Sequence, residues 1–387
     1  MNAAGILRES ATTRVRRLLP LLDEHGAEGD RRRELTPEVV KALVEEDMLR
    51  LLLPRSIGGQ EIELLEFCRV CELAGSADGS AGWFIAQSNV TTSTSAAALS
   101  HEVAAERRAA DRRCLGTAEW QQPGHPGRRR VSPDRRVELC ERPAPFQMAR
   151  RAQNPDGTAH MRYGRPDNRT FLFFRSDARI IDDWHVLGMR GTGSDSYAVT
   201  DLFIPDSRAP LRDSPEERRE TGPLYPIGSV ALYACGFASV TLGIARGLLE
   251  TYTELARGRS SRASPTSMAR NNAVQQEIAT LEARLSASRA LLHEAAGEAY
   301  AASERGTLDL DRRMRLRLAT TLAMKEATDV SVTCYRAAGT IAIRVNAPFE
   351  RRLRDALTAS QHVQGALPLV EMVGRHIIGT DNVVALL

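Results

Sequence analysis

The sequence predicts a mostly α-helical chain with a central β-domain. Residues 1–115 carry apolar side chains at helical spacing, and so do long segments of residues 223–387. Between them, residues 116–210 include a stretch in which side chains alternate as they do in a strand. We therefore expect an N-terminal helical domain (1–115), a β-barrel-like middle domain (116–210) and a C-terminal four-helix bundle (223–387).

The composition limits the possible partners. The chain has 387 residues, of which 42% are hydrophobic and 26% charged, as in ordinary soluble proteins. Its net charge of +3 produces no strong field for nucleic acid, and its only lysines are Lys41 and Lys325. No apolar run approaches the ~20 residues that cross a bilayer, and no secretion signal is evident. We expect a cytoplasmic protein that binds neither nucleic acid nor membrane.

The first half of the N-terminal domain shows clear helix signals. Thr36-Pro37-Glu38 combines a capping hydroxyl, a proline in the first turn and an early acid. The apolar pattern that follows is predicted to run as a helix until Pro54 ends it. After a turn at Gly58-Gly59, a second helix is expected from Ile62 to about Gly75.

The cysteines do not predict a metal site. Cys68 and Cys71 form a CxxC pair, but they lie within the second helical pattern and no second ligand pair accompanies them. All six cysteines are scattered, which is typical of a reducing compartment.

A glycine-rich stretch from Trp184 to Pro205 organises the central domain. It contains Gly188, Gly191 and Gly193 and then continues as a strand. A dinucleotide fingerprint is excluded because a third glycine of that pattern is missing and a strand follows where a helix is required. The glycines and the hydroxyls of Thr192, Ser194 and Ser196 could admit a flat ligand close to the backbone, or the stretch could be a tight connection without a ligand.

Residues 121–151 contrast with their surroundings. They are dense in arginine and proline and almost lack alternating apolar residues, so strands are hard to place. One hypothesis is a shift of the coding frame across this window, which resequencing of the gene would test. The other is that this segment is native and its part of the site is built differently.

The C-terminal region carries a coiled-coil-like seam. Apolar and small residues recur at alternating spacings of four and three, and a later segment repeats the spacing. The first seam comprises Val274, Ile278, Leu281, Leu285, Ser288, Leu292, Ala295 and Ala299, and the second Ala323, Ala327, Val330 and Cys334.

Three stretches of the chain resemble a known family. They read LPRSIGGQEIELLEFCRVCELAGSADGSAGW, WHVLGMRGTGSDSYAVTDLFIP and RRLRDALTASQHVQGA, in that order. They are similar to the acyl-CoA dehydrogenase superfamily, and most of all to its flavin-dependent monooxygenase branch, the oxygenase components of two-component phenol hydroxylases. The resemblance implies a homotetramer that hydroxylates a phenolic substrate through a flavin C4a-hydroperoxide, with reduced FMN or FAD supplied by a separate reductase.

The resemblance also implies site residues. His362 matches a histidine of the closing bundle and is expected to be the catalytic base or the hydrogen-bond partner of the phenol. Trp83 is expected at the wall of the flavin pocket, although a core tryptophan would show the same pattern. Further cofactor-binding candidates are Thr117, Thr192, Ser194, Thr340 and Arg262, the last as a phosphate ligand of a neighbouring subunit's flavin.

Two alternatives remain open. A flavin dehydrogenase acting on an acyl thioester needs a carboxylate base, and residues 357–364 around His362 contain none. The family's Trp-x-Phe-x-Ser-Gly-like flavin motif is not found in residues 121–151, so a relative that lost flavin and became a binding or non-redox protein is the second alternative.

Overall fold

The structure is a computed structural model that describes residues 9–100, 168–200, 202–211, 213–258, 267–345 and 347–380. It also describes Val103 and the backbone of six short strand segments between residues 116 and 166. The predicted fold class is confirmed: helices precede and follow a set of short strands.

The described residues of the N-terminal part form four helices. They are α1 (Ala11–Arg32), α2 (Pro37–Glu45), α3 (Leu64–Ala77) and α4 (Gly79–Ala96). The predicted start of α2 is confirmed, because the Thr36 side chain caps it by accepting a hydrogen bond from the Val39 N–H.

The predicted end of α2 at Pro54 is wrong, since the helix stops at Glu45. Asp47 there adopts a left-handed conformation (φ 58°), which interrupts the helical ladder. The buried segment that follows is held instead by Asn89 of α4, whose side-chain oxygen accepts from the Leu51 N–H at 2.7 Å.

The described residues of the middle part include ten short strands. They are β1 (Gly116–Trp120), β2 (Arg130–Val131), β3 (Val137–Glu141), β4 (Phe146–Arg151), β5 (Met161–Arg162), β6 (Arg165–Pro166), β7 (Asn168–Leu172), β8 (Arg179–Ile181), β9 (Ser194–Ala198) and β10 (Leu202–Phe203). β4 lies between β1, to which it is parallel, and β7, to which it is antiparallel. β9 lies between β3 and β8, while the pairs β2–β10 and β5–β6 are separate.

β2, β3 and β4 lie within residues 121–151, where the sequence pattern did not allow strands to be placed. One expectation about strands needs correction. The stretch expected to be one strand up to Pro205 is divided, because β9 pairs with β3 and β8 whereas β10 pairs with β2. The ends of β9 and β10 are therefore set by their different pairing partners and not by the alternation of side chains.

Five helices complete the chain. They are α5 (Ser229–Gly258), α6 (Asn272–Glu304), α7 (Leu310–Ala338), α8 (Pro348–Ala359) and α9 (Leu367–Ile378). The predicted seam is confirmed at its buried positions, which include Leu281, Leu285, Leu292 and Ala299 of α6 and Ala327 and Val330 of α7.

Helix α5 is the centre of the core. It packs against α3 and α4 on one side and against α7 on the other. It is long and apolar enough to cross a membrane, yet 94% of its apolar window is buried inside the protein, as expected for a core helix. Its Cys235 and the pair Cys68 and Cys71 of α3 are free, buried thiols.

Candidate functional site

Four aromatic rings meet where α4, α5 and the turn after α8 come together. Trp83 of α4 stacks on Phe237 of α5, with ring centroids 3.8 Å apart and planes 4° apart. The imidazole of His362 lies edge-on to both, at 4.6 Å from Phe237 and 5.3 Å from Trp83. Tyr233 extends the stack at 5.6 Å from Phe237. Such stacked and edge-on arrangements are the favourable geometries for aromatic pairs.

Small residues allow the helices to bring these rings together. A Cβ on Gly82 would lie 2.8 Å from the backbone nitrogen of Gly75, and one on Gly75 would lie 2.6 Å from the carbonyl oxygen of Val240. These close approaches set α3, α4 and α5 side by side, so that Trp83, next to Gly82 in sequence, projects its large ring onto α5.

The polar end of the stack is hydrogen-bonded. The Tyr233 hydroxyl and the Thr91 hydroxyl lie 2.6 Å apart and are buried. This pairing gives each of the two hydroxyls a hydrogen-bond partner at that end of the stack.

His362 is neutral over the physiological pH range. It caps the short 3₁₀ turn Val363–Gly365, and its Nδ1 accepts a hydrogen bond from the backbone N–H of Gln364 at 3.3 Å. Burial lowers the pKa of the imidazole to about 4. With Nδ1 used as an acceptor, the single proton of the neutral ring is on Nε2.

The Gly188–Thr192 segment packs against helices. A Cβ on Gly188 would fall on the carbonyl oxygen of Arg354 in α8, and one on Gly191 would lie 3.0 Å from the side chain of Ser80 in α4. The Met189 N–H donates to Asp355 Oδ1 at 2.6 Å, and the Trp184 indole N–H donates to the Met189 carbonyl at 3.1 Å. Of the two interpretations of these glycines, the structure therefore supports the tight connection.

Thr192 and Ser194, which are predicted to bind the cofactor, are buried within the loop. Their side chains are only 1% and 7% exposed. Their hydroxyls lie 2.7 Å apart, and Thr192 also donates to the Met189 carbonyl at 2.9 Å. These hydrogen bonds stabilise the loop, and the role of the two residues at the cofactor stays a prediction.

Family comparisons agree with this architecture. The N-terminal domain of acyl-CoA dehydrogenase matches residues 6–106, and its C-terminal domain matches residues 235–366, together more than half of the chain. The chain belongs to the acyl-CoA dehydrogenase family. The expected flavin-dependent monooxygenase branch is confirmed as well.

The relatives of this family member are oxygenases. Indole-3-acetate monooxygenase of Pseudomonas putida is 28% identical over 87% of this chain and 85% of that protein. The oxygenase component of p-hydroxyphenylacetate 3-hydroxylase of Acinetobacter baumannii is 23% identical over 96% and 90%. Among solved structures, the 3-HSA hydroxylase from Rhodococcus sp. RHA1 is similar with a TM-score of 0.85 at 23% identity, covering 98% of this chain and 99% of that one. XiaF from Streptomyces sp., in complex with FADH2 and glycerol, has the same TM-score at 22% identity and 97% coverage of both chains.

Of the remaining predicted site residues, only Thr340 has a described side chain. Thr340 is exposed in the 3₁₀ turn Gly339–Ile341 at the end of α7. Thr117 lies in β1, and its side chain is outside the described residues, as is Arg262. Their roles stay predictions. Within the described ranges no group of three or more metal-ligating side chains occurs, and none was predicted.

Sequence reasoning missed Phe237 and Tyr233. Both lie on α5, which is buried on nearly every side, so no amphipathic pattern marks the face that meets Trp83. The signal that could have indicated them is the pair of aromatics at a spacing of four residues, which places two rings on one helix face.

Proposed function

We propose that this chain is the oxygenase component of a two-component flavin-dependent monooxygenase that hydroxylates an aromatic compound. The observation that carries the proposal is the neutral imidazole of His362 placed edge-on to the stacked rings of Trp83 and Phe237. The relatives support the reaction class, since their names describe monooxygenases of indole-3-acetate and of p-hydroxyphenylacetate.

The residues of the stack suit a flavin. Trp83 and His362 are only half-buried although the residues next to Trp83 are fully buried, so both rings offer surface to a flat conjugated ligand. The chemistry that a reduced flavin supplies when bound is the reduction of dioxygen and the transfer of one oxygen atom to the substrate. One solved relative is a complex with FADH2 and another a complex with FMN, so we propose reduced flavin without choosing between FMN and FAD.

The side chains of this site have distinct tasks. Trp83 and Phe237 exclude water from the reacting face, which keeps the local dielectric low. His362 donates its Nε2–H to the oxygen of the aromatic substrate, and this hydrogen bond is strong in such surroundings. Because the imidazole is neutral down to a pKa of about 4, it does so at any physiological pH.

The dehydrogenase alternative lacks a base at this place. Asp355 is the carboxylate of α8 that precedes His362, and it is only 2% exposed. Its Oδ1 accepts from the Met189 N–H, and burial raises the pKa of the carboxyl to about 7 in spite of the nearby Arg351. A carboxylate held in this way is directed at the loop and not at a substrate.

We also propose a homotetramer that works in the cytoplasm with a separate flavin reductase. Exposed apolar side chains support self-association, because Leu367, Val370 and Ile377 lie on α9 at spacings of three and seven residues and Val363 is exposed in the preceding turn. The free buried thiols of Cys68, Cys71 and Cys235 suit a reducing compartment.

A coupled assay tests the function. The protein is combined with a generic flavin reductase, NADH, FMN or FAD, and a panel of phenols and indoles, and oxygen uptake is followed together with product mass. We expect at least one aromatic to gain one oxygen atom. His362→Ala should lose hydroxylation while peroxide release continues, and exchange of the exposed His185 for alanine should change neither.

Two results would contradict the proposal. Anaerobic reduction of a dye with an acyl-CoA would support the dehydrogenase instead. Failure to bind reduced FMN or FAD at micromolar concentration would support the relative without flavin.

A further inference from the structure

One face of α7 holds the turn that carries His362. The Arg317 guanidinium donates from Nη1 to the side-chain oxygen of Gln364 at 2.5 Å. The Thr321 hydroxyl, one helical turn later, lies 3.4 Å from the Gln364 carbonyl oxygen. Met324, a further turn on, contacts the position where Gly365 would carry a Cβ, at 3.3 Å. Gln364 is thus held through its side chain and through its backbone.

Gln364, which α7 holds in place, is also the residue that orients the imidazole of His362. The backbone N–H of Gln364 donates to His362 Nδ1 at 3.3 Å. A donor directed at Nδ1 requires a lone pair there, so it selects the tautomer with the proton on Nε2. The partner of one ring nitrogen commonly decides the state of the other.

We propose that Arg317 is a positioning residue which, through Gln364, fixes the tautomer of His362 and thereby makes the imidazole a hydrogen-bond donor to an oxyanion instead of a base. The oxyanion would be the phenolate-type oxygen of the substrate, and that part rests on the proposed function. The assignment of the His362 tautomer does not rest on the proposed function.

The donor role revises the expectation that His362 acts as a base. A neutral imidazole with its proton on Nε2 has no lone pair at that atom to accept a substrate proton. Its Nδ1 is occupied by the Gln364 N–H. The substrate would therefore bind as the anion, after losing its hydroxyl proton to solvent, and His362 stabilises that negative oxygen by donating its Nε2–H.

The cost of burying Arg317 is consistent with a specific task. Its side chain is 2% exposed, and this burial lowers the pKa of the guanidinium to about 10. Burying a charge is expensive unless geometry and hydrogen bonds compensate. An apolar residue of similar length would fill the same space at lower cost.

The test measures the tautomer of His362 on the resting protein without flavin or substrate. Histidine ring nitrogens are labelled with ¹⁵N, and the His362 signal is identified by its absence in His362→Asn. We expect the wild type to carry the proton on Nε2. In Arg317→Met the ratio of tautomers should shift toward Nδ1–H about five-fold, the effect of losing one hydrogen bond. Arg317→Lys keeps a donor and should restore the wild-type ratio.

Matched variants separate positioning from folding. Arg313→Met, four residues earlier on α7, removes donors to the Pro226 and Ile227 carbonyls and should leave the His362 tautomer unchanged. Where Arg317→Met alone does not fold, the double variant Arg317→Met/Gln364→Leu replaces both partners by apolar groups and should show the same shift.

Two results would overturn the proposal: a wild-type ring with its proton on Nδ1, or folded Arg317 variants that keep the Nε2–H ratio. A wild type that hydroxylates none of the aromatics in the coupled assay would defeat the proposed function and leave the tautomer result standing.

Discussion

Asp355 accepts a hydrogen bond from the backbone N–H of Met189 at 2.6 Å, joining α8 to the loop of the middle domain. Met189 adopts a left-handed conformation (φ 54°), and the adjacent Gly188 lies directly on the backbone of α8. In the same helix turn, the Arg354 guanidinium donates to both carboxylate oxygens of Asp30 in α1 at 3.0 Å. One segment of α8 therefore binds both the N-terminal helices and the β-domain.

Removal of this acceptor should destabilise the protein. Asp355→Ala leaves the Met189 N–H without its partner and the nearby Arg351 without one of its carboxylates. We expect a loss of about 2–4 kcal/mol in the free energy of unfolding. Urea denaturation measures it, and Asp355→Asn, which keeps an acceptor oxygen, is the control. A loss in the alanine variant no larger than in the asparagine variant would contradict this role.

Two glycines should respond to alanine with opposite signs. Gly188→Ala places a methyl group on the Arg354 carbonyl and should cost on the order of 2 kcal/mol or more, because backbone must move. Gly297→Ala, within α6 and with no atom within 4 Å of the added Cβ, should stabilise by about 0.5–1 kcal/mol. Thermal melting of the two variants checks the pair, and equal shifts would show that the loop does not pack as described.

His362 should make the protein sensitive to acid. In the unfolded chain the imidazole takes up a proton as the pH falls below about 6.5. In the folded protein it takes up this proton only near pH 4, because burial lowers its pKa to about 4. Stability is therefore lost as the pH falls from about 6.5 to about 4. His362→Asn should flatten this part of the pH dependence, as followed by urea denaturation at several pH values. Exchange of the exposed His185 for asparagine should not, and an unchanged slope in the His362 variant would refute the assignment.

The exposed row on α9 should govern association. Leu367 and Ile377 are 76% and 73% exposed, and their exchange for aspartate places charges on an apolar surface. We expect Leu367→Asp/Ile377→Asp to lower the molar mass measured by light scattering, with helical content unchanged. Arg375→Ala on the same helix is the control. A mass equal to that of the wild type would place the subunit contacts elsewhere.

Several features followed from the sequence because they depend on local physics. The cap at Thr36 and the seam from Leu281 to Ala299 were predicted correctly, since capping and periodic burial depend on residues that are close in sequence. The family was predicted correctly from motifs that the chain retains over most of its length.

Other features were decided only by tertiary structure. The Thr192 and Ser194 hydroxyls hydrogen-bond to each other because the loop closes against helices far away in sequence. The role of Arg317 could not be predicted either, since nothing within α7 shows that Gln364 will lie 2.5 Å from its guanidinium. Capping and periodicity act over a few residues, whereas contacts between distant segments form only when the whole core packs.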